Sequence, residues 1–212
     1  MKMNELIVSI IVTIVSLPIL FFAFWKLWFL RNPDRIIPKG NNIICPADGK
    51  VIDVIPFNKK EIVFNKGNKR IFGQIRTLTK DVADEGFMVS IFMSPFDVHY
   101  NRAPISGKIK SVIHKPGKLL AVNTINAGLV NEKTETIIEN KDIKIKVIQI
   151  AGFIARRIET FVQPNDDIKK GDIYGLINLG SQVSIIIPKK VKVIVKKGEK
   201  VKAGETILGE LP

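Results

Sequence analysis

The sequence contains few of the residues that stabilise a fold through disulfides or metal ions. Cys45 is the only cysteine among 212 residues, so no disulfide can form within the chain. Only two histidines accompany it, which leaves too few of the usual ligands for a structural zinc ion. We therefore predict no metal site, and a single cysteine favours a compartment that is not oxidising.

The patterns of a nucleic-acid-binding protein are also missing, although the chain is strongly basic. Lys and Arg number 33 against 20 Asp and Glu, which gives a net charge of +13. Such an excess attracts anionic surfaces of lipid or nucleic acid. No zinc-finger spacing, recognition-helix pattern or aromatic-basic sheet motif accompanies it. The charge therefore predicts a membrane as partner and no nucleic acid.

One long apolar run begins near the N-terminus. Residues 6–25 (LIVSIIVTIVSLPILFFAFW) contain no charged side chain. As a helix this run would span ~30 Å, the thickness of a hydrocarbon core. Lys26, Arg31 and Arg35 follow it, so the positive-inside rule places the rest of the chain in the cytoplasm. A cleaved signal peptide is disfavoured because the run ends in Phe and Trp rather than small residues. An interfacial insertion of the same segment stays open.

The composition changes near Pro38, and we predict two parts. Residues 1–37 form the membrane anchor and juxtamembrane segment, and residues 38–212 form one domain. Short Val/Ile runs separated by Gly, Pro and Asn predict strands in this domain, and long helical periodicity is absent. The expected fold is mainly β. The charged residues 58–81 are predicted to form a solvated hairpin or loop.

Three segments predict particular strands. Residues 87–93 are typical of a buried strand, and 143–147 alternate as in a half-buried one. The alternation slips after Val147, which predicts either a bulge or a strand end buried on both faces. Residues 139–142 are expected to form the preceding hairpin turn. Ser181 begins a third strand, with Val183, Ile185 and Ile187 on one face.

Two weak internal repeats refine this expectation. Residues 46–51 (PADGKV) match 104–109 (PISGKI), and the apolar and glycine positions of 162–171 recur in 195–204. Each copy is expected to be a strand–turn–strand unit, with the glycine at a turn. Hairpins repeated in this way predict a sandwich or flattened barrel. The last unit resembles the hammerhead turn of biotinyl and lipoyl carrier domains.

Three places contain residues that could carry chemistry. Residues 46–49 (PADG) are explained locally by a turn capped by Asp48. Residues 93–104 (MSPFDVHYNRAP) follow a buried strand and include Asp97 and His99, which can be a proton-transfer site or an ordinary surface loop. The Gly180–Ser181 dipeptide alone indicates only a bend.

Together these segments identify a family. PADGKV, MSPFDVHYNRAPISG, IAGFIARRI and INLGSQVSIIIP resemble the short form of phosphatidylserine decarboxylase, as found in archaea and bacteria. The likeness extends over nearly the whole chain. It implies a proenzyme that cleaves itself between Gly180 and Ser181 and converts Ser181 into a covalent pyruvoyl cofactor (pyruvate). The two products would be a beta chain of residues 1–180 and an alpha chain of residues 181–212.

The resemblance also implies roles for individual residues. The Ser181 hydroxyl would attack the Gly180 carbonyl, with His99 as base and later as acid, and Asp48 would orient His99. Asp97 is the alternative partner of His99. Long-form relatives have a second histidine where this chain has Arg102, so His99 would act alone.

Further expectations concern ligands and assembly. Arg102, Arg156 and Arg157 are candidates for binding the phosphate or carboxylate of an anionic serine phospholipid, or are structural instead. The reaction would yield the ethanolamine lipid and CO₂ at the cell membrane. Ester and ether lipid tails are equally compatible with the sequence. Relatives suggest a homodimer of cleaved chain pairs.

Two alternatives stay open on the sequence. One is a membrane-tethered adaptor, or a carrier of biotin or lipoate, although no Met-Lys pair suits a carrier except at residues 1–2. The other is a soluble pyruvoyl enzyme that acts on a free amino acid, which the apolar anchor disfavours.

Overall fold

The fold comes from a computed structural model, which describes residues 3–58, 78–79, 81–118, 120, 130–152, 157–178 and 180–212. Most of the charged segment predicted to be a solvated hairpin or loop lies outside these residues. The chain begins with helix α1, Met3–Ala23, which continues into a π-helical segment, Phe24–Phe29. None of the α1 side chains is buried in the domain. By length and composition, the helix that runs from Met3 to Phe29 could span a membrane.

The remainder is mainly β, as predicted. The strands, in chain order, are β1 (Asn42–Ile44), β2 (Gly49–Asn58), β3 (Glu85–Met93), β4 (Tyr100–Arg102), β5 (Gly107–Lys115), β6 (Lys133–Glu139), β7 (Lys144–Ala151), β8 (Ile158–Thr160), β9 (Asp167–Ile168), β10 (Ile173–Ile177), β11 (Ser181–Pro188), β12 (Lys192–Val193), β13 (Lys200–Val201) and β14 (Ile207–Glu210). They include the three strands predicted from the alternation of apolar residues. Residues 140–143 form the turn between β6 and β7. The Asn140 side-chain oxygen stabilises this turn by accepting hydrogen bonds from the amides of Asp142 and Ile143.

Eight strands form one curled sheet in the order β13-β2-β3-β11-β7-β6-β5-β9. Two smaller sheets, β1-β14-β12 and β4-β10-β8, contribute to the core on one of its faces. The large sheet has an internal symmetry about the β11–β7 pair, because β13, β2 and β3 on one side correspond to β9, β5 and β6 on the other. The site described below lies at the end of the central strand β11.

The two copies of the first internal repeat occupy equivalent places in the two halves of the large sheet. Gly49 begins β2 and Gly107 begins β5, and each is paired with a two-residue strand, through Val201 and Ile168 respectively. Each long strand then has a register shift two residues after its glycine. The two copies therefore begin equivalent strands of the large sheet, and the expectation that their glycines stand within turns was wrong, because Gly49 and Gly107 are the first residues of β2 and β5.

The second repeat supplies the matching turns. Gly171 and Gly204 both have a positive φ, of 93° and 83°, which favours glycine. Their amides donate to equivalent carbonyls, from Gly171 to Ala103 and from Gly204 to Cys45. The juxtamembrane residue Ile37 contacts both turns, since a Cβ on either glycine would lie within 3.1 Å of its side chain. The chain that leaves the anchor is thus packed between two equivalent turns.

Both faces of the central strands are buried. The larger core includes Val183, Ile185 and Ile187 of β11, as the alternation predicted. The opposite face holds a smaller cluster with Ile186 and Ile148.

The prediction of a half-buried β7 was wrong. Lys146 is 1% exposed, because its ammonium donates to the Leu78 carbonyl (2.7 Å) and pairs with buried Glu135 (3.1 Å). The register of β7 against both neighbours has no shift, so the slip after Val147 reflects burial on both faces rather than a bulge.

Candidate active site

Ser181 is the first residue of β11 and is fully buried. It pairs with Met93 at the end of β3 on one side and with Ala151 at the end of β7 on the other. Its hydroxyl donates to the Met93 sulfur at 3.5 Å, a weak hydrogen bond. Among the described residues the Ser181 hydroxyl has no stronger partner, so its oxygen is free to bond to a base within the site.

The residue before Ser181 has a backbone conformation suited to glycine. Gly180 has φ +65°, in the left-handed region, and a Cβ placed there would have no atom of the other described residues within 4 Å, its chain neighbours aside. The preference for glycine is therefore conformational rather than steric at this position. No described residue beyond its chain neighbours therefore obstructs the Gly180 carbonyl carbon on the side where a side chain would stand.

His99 lies in the loop between β3 and β4 and is fully buried. Its Nδ1 is 2.8 Å from the main-chain carbonyl of Asp97. A carbonyl oxygen only accepts, so Nδ1 carries the proton and Nε2 holds a free lone pair. Nε2 has no hydrogen-bond partner among the described residues, although it is buried. The imidazole is therefore held in the tautomer that a general base requires.

Burial lowers the pKa of His99 from its ordinary 6.5 to about 4. The Asp97 carbonyl and carboxylate act in the opposite direction, and the positive charge of Arg31 adds to the lowering. His99 is consequently neutral at pH 7, with its Nε2 lone pair available.

The Asp97 carboxylate has a local role. Its Oδ2 accepts hydrogen bonds from the Ser94 amide and the Ser94 hydroxyl, both at 2.7 Å. These bonds close the turn that presents His99. Asp97 contacts His99 through its main-chain carbonyl, and the predicted role of its carboxylate as a partner of His99 stays a prediction.

Asp48 has other partners than His99. Its two carboxylate oxygens lie 3.0 and 2.8 Å from one Arg35 guanidinium nitrogen, and Oδ1 also accepts the Ala203 amide at 2.7 Å. In the equivalent half of the fold, the Ser106 hydroxyl accepts the Lys170 amide at 2.8 Å. Capping of this turn by a side-chain oxygen is thus common to both halves. The predicted orienting role of Asp48 stays a prediction.

The chain brings His99 and Ser181 to the same end of the large sheet by two routes. Met93, which pairs with Ser181, is joined to His99 by the short 94–98 loop. The Ile177 amide donates to the His99 carbonyl at 3.3 Å, and Ser181 follows Ile177 by four residues. Within the described part of the chain no hydrogen bond joins the two side chains.

A buried polar pair lies beside this site and was not predicted. Gln149 of β7 donates to the Asn101 side chain at 2.8 Å, and the Asn101 amide points to the Met93 sulfur at 3.9 Å. The anchor contributes a second unpredicted residue, Phe29, whose ring lies 4.1 Å from the His99 ring. Both contacts join residues far apart in sequence, so no local pattern could have indicated them.

The three candidate arginines differ in their surroundings. Arg102 donates to the Gly171 carbonyl (2.9 Å) and to the Asn32 side chain (2.6 Å), and burial lowers its pKa. It therefore fastens the juxtamembrane segment to the domain. Arg157 has a 77% exposed side chain and its only ion-pair partner in the described residues is Glu159. Arg156 lies outside the described residues. The ligand role of all three stays a prediction.

Comparison with known proteins matches this chain to one family. The family model described as phosphatidylserine decarboxylase matches residues 22–209. A phosphatidylserine decarboxylase proenzyme of Syntrophus aciditrophicus is 40% identical over 86% of this chain and 78% of its own. A protein of the same name from Carboxydothermus hydrogenoformans is 40% identical over 93% and 83%. A Methanocaldococcus jannaschii protein with the provisional name archaetidylserine decarboxylase proenzyme is 41% identical over 87% and 88%.

The chain belongs to the phosphatidylserine decarboxylase family. The resemblance inferred from its motifs is thereby confirmed.

Proposed function

We propose that this chain is the self-cleaving precursor of a pyruvoyl-dependent decarboxylase that converts a membrane serine phospholipid into the ethanolamine lipid and CO₂. The observation that carries the proposal is the buried Ser181, directly after a positive-φ glycine, in a member of this family. His99, neutral and with Nε2 unpartnered among the described residues, lies in the loop that follows Met93, the strand residue paired with Ser181.

In the cleavage step His99 Nε2 takes the proton of the Ser181 hydroxyl while Ser181 Oγ attacks the Gly180 carbonyl carbon. The peptide bond becomes an ester, and the Ser181 nitrogen becomes a free amine. Loss of the Ser181 Cα proton then breaks the bond between Cβ and the ester oxygen. The chain ending at Gly180 leaves as a carboxylate. Water hydrolyses the remaining dehydroalanine, releasing ammonia and leaving the pyruvoyl group.

The residues around Ser181 suit a pyruvoyl group. Met93, Ala151 and Ser181 are all fully buried, so a carbonyl formed at this position is shielded from bulk water. That carbonyl supplies an electron sink for the electrons left when CO₂ departs. His99 Nε2 takes up the one proton that decarboxylation consumes from solvent and passes it to the former α-carbon of the substrate, so the same imidazole serves both steps.

The helix Met3–Phe29 anchors the precursor by spanning the membrane. Lys26, Arg31 and Arg35 on its C-terminal side favour a cytoplasmic catalytic domain. The active assembly is a homodimer of cleaved chain pairs. The lipid phosphate or carboxylate is bound by arginine, for which the exposed Arg157 is the candidate with most of its donors available to a ligand.

The cleavage proposal is tested by following the full-length chain on a denaturing gel after cell-free synthesis. Fragments of 180 and 32 residues are expected from the wild type, the smaller with a blocked N-terminus. Ser181→Ala should remain intact. Ser184→Ala is the matched control, because Ser184 is a buried serine of the same strand, hydrogen-bonded to Ser90 on the opposite face. A folded wild-type chain that never cleaves would refute the proposal.

The substrate is tested with vesicles that contain either an ester or an ether serine lipid, and with free serine. CO₂ release from a lipid, and none from free serine, is the expected result. Turnover of free serine alone would favour the soluble-type pyruvoyl enzyme. A cleaved chain that releases CO₂ from none of them would contradict the decarboxylase assignment.

A further inference from the structure

The end of the membrane helix reaches the proposed active site. Phe29 is fully buried, and its ring lies 4.1 Å from that of His99, inclined by 36°. Trp25 stacks on Phe29 with a distance of 4.5 Å between ring centroids and an angle of 14° between ring planes. Phe21 stacks on Trp25 with its centroid 6.2 Å away. A row of aromatic rings, four residues apart along one side of the helix, therefore ends on the imidazole.

The helix changes geometry where it meets the domain. Residues Phe24–Phe29 are π-helical, and the Leu30 amide bonds to the Trp25 carbonyl at 3.0 Å, five residues back. Such turns are uncommon and are enriched at functional sites. The change coincides with the stacked pair of Trp25 and Phe29.

Several contacts hold this end of the helix on the domain. Arg31 donates to the main-chain carbonyl of Phe96 at 2.5 Å, within the loop that carries His99. Phe24 meets the Phe96 ring edge-on at 6.5 Å. The next residue after Arg31, Asn32, accepts a hydrogen bond from Arg102 at 2.6 Å. Because the helix end is bonded to the His99 loop itself, Phe29 and His99 are held together.

We propose that Phe29 is a positioning residue for His99, so that the membrane helix forms part of the active site and is not only a tether. Its ring covers one face of the imidazole, excludes water from it and holds the ring with Nε2 free. This inference rests on the proposed role of His99, and its test below includes a readout that is independent of activity.

The charges near His99 determine what removal of Phe29 does. Asp97, in the same loop, raises the pKa of His99, and Arg31, from the helix side, lowers it. Strand β10, which bonds to the His99 carbonyl, has no acidic or basic residue, and burial raises the pKa of its one titratable group, Tyr174. Burial is the largest cause of the lowered pKa of His99, so water admitted beside its ring should raise that pKa toward 6.5.

The direct test is a side-chain NMR titration of the two histidines in full-length Ser181→Ala protein in lipid nanodiscs. The pKa of His99 is expected at about 4. Adding Phe29→Leu, which keeps apolar bulk but removes the ring, should raise it by about one pH unit or more. Phe29→Trp should restore the low value. His114, assigned through His114→Gln, reports whether the fold elsewhere is intact.

The matched control is Phe22→Leu, since Phe22 is a 62% exposed phenylalanine of the same helix. It should leave the His99 titration unchanged. An unchanged pKa of His99 in Phe29→Leu, or an equal change in Phe22→Leu, would overturn the proposal. The titration uses an uncleavable chain, so its result does not depend on whether Ser181 forms a cofactor.

The functional counterpart is the pH dependence of cleavage in otherwise wild-type chains. With a pKa near 4, about 90% of His99 is neutral at pH 5, but only about a quarter with a pKa near 5.5. Phe29→Leu should therefore lose about fourfold in rate at pH 5 relative to pH 7.5, and Phe29→Trp should recover it. The same pH profile in Phe29→Leu and wild type would overturn the positioning role. No cleavage in the wild type would instead refute the proposed function.

Discussion

Replacement of Asp48 by Asn tests whether this carboxylate stabilises the fold or assists His99. The Arg35 and Asp48 side chains are only 5% and 13% exposed, and they lie 2.8 Å apart. Removing one member of a largely buried pair costs about 3–5 kcal/mol, since the other charge is left uncompensated. Glu205, 3.8 Å from Arg35, retains part of the compensation. We therefore expect Asp48→Asn to lower the free energy of unfolding by about 2–4 kcal/mol.

The assay is urea unfolding of the full-length Ser181→Ala chain in detergent, followed by circular dichroism of the β domain. Arg35→Met should cost a similar amount, and the double variant should cost less than the sum, with a coupling of about 2 kcal/mol. Asp167→Asn removes an exposed pair with Lys108 (3.9 Å) and should cost under about 0.5 kcal/mol.

The rate of self-cleavage, measured for the same substitutions in otherwise wild-type chains, separates the two roles. If Asp48 acts through the fold, Asp48→Asn and Arg35→Met should slow cleavage in proportion to their loss of stability. Abolished cleavage in Asp48→Asn at unchanged stability, with normal cleavage in Arg35→Met, would refute the structural reasoning. It would favour the orienting role expected from the family resemblance.

Two further predictions concern His99 and Gly180. The pKa of His99 is about 4 in the folded chain and about 6.5 unfolded, so only the unfolded chain gains this proton as the pH falls from 6.5 to 4. From pH 6.5 to pH 4 the free energy of unfolding should fall by about 3 kcal/mol more for wild type than for His99→Gln. An equal fall for the two proteins, measured by urea unfolding, would contradict the burial of a neutral imidazole. Gly180→Ala should cost about 1–2 kcal/mol through its positive φ and should slow cleavage. Gly198→Ala, also at a positive φ in open space, should cost a similar amount and cleave normally on the same gels; wild-type cleavage by Gly180→Ala would contradict a role for this backbone conformation.

Much of the fold was predictable because it is encoded in short-range patterns. The alternation at residues 183–187 and the turn glycines Gly171 and Gly204 depend on neighbours along the chain, and the structure confirms both. The repeats even indicated the equivalent halves of the sheet. Lys146 shows the limit of this reasoning, since its alternation is typical of a solvated face. Its burial depends on Glu135 and the Leu78 carbonyl, which are distant in sequence.

The candidate site was predictable in part for the same reason. Ser181, Gly180 and His99 were found because they lie within dense motifs that resemble a family. The partners of these residues are tertiary, as in the pairing of Asp48 with Arg35 and the stacking of Phe29 on His99. Nothing in the local sequence distinguishes Phe29 from the other phenylalanines of the anchor segment. Its role depends on how the juxtamembrane segment is fastened to the domain.

The most direct test of the account is the mass of the C-terminal fragment from active, freshly isolated protein. The account predicts a fragment of residues 181–212 that begins with a pyruvoyl group in place of serine. After borohydride reduction its mass should increase by two hydrogens, because a ketone becomes an alcohol. An intact chain with an unmodified seryl residue at position 181, in a preparation that releases CO₂ from the lipid, would contradict it.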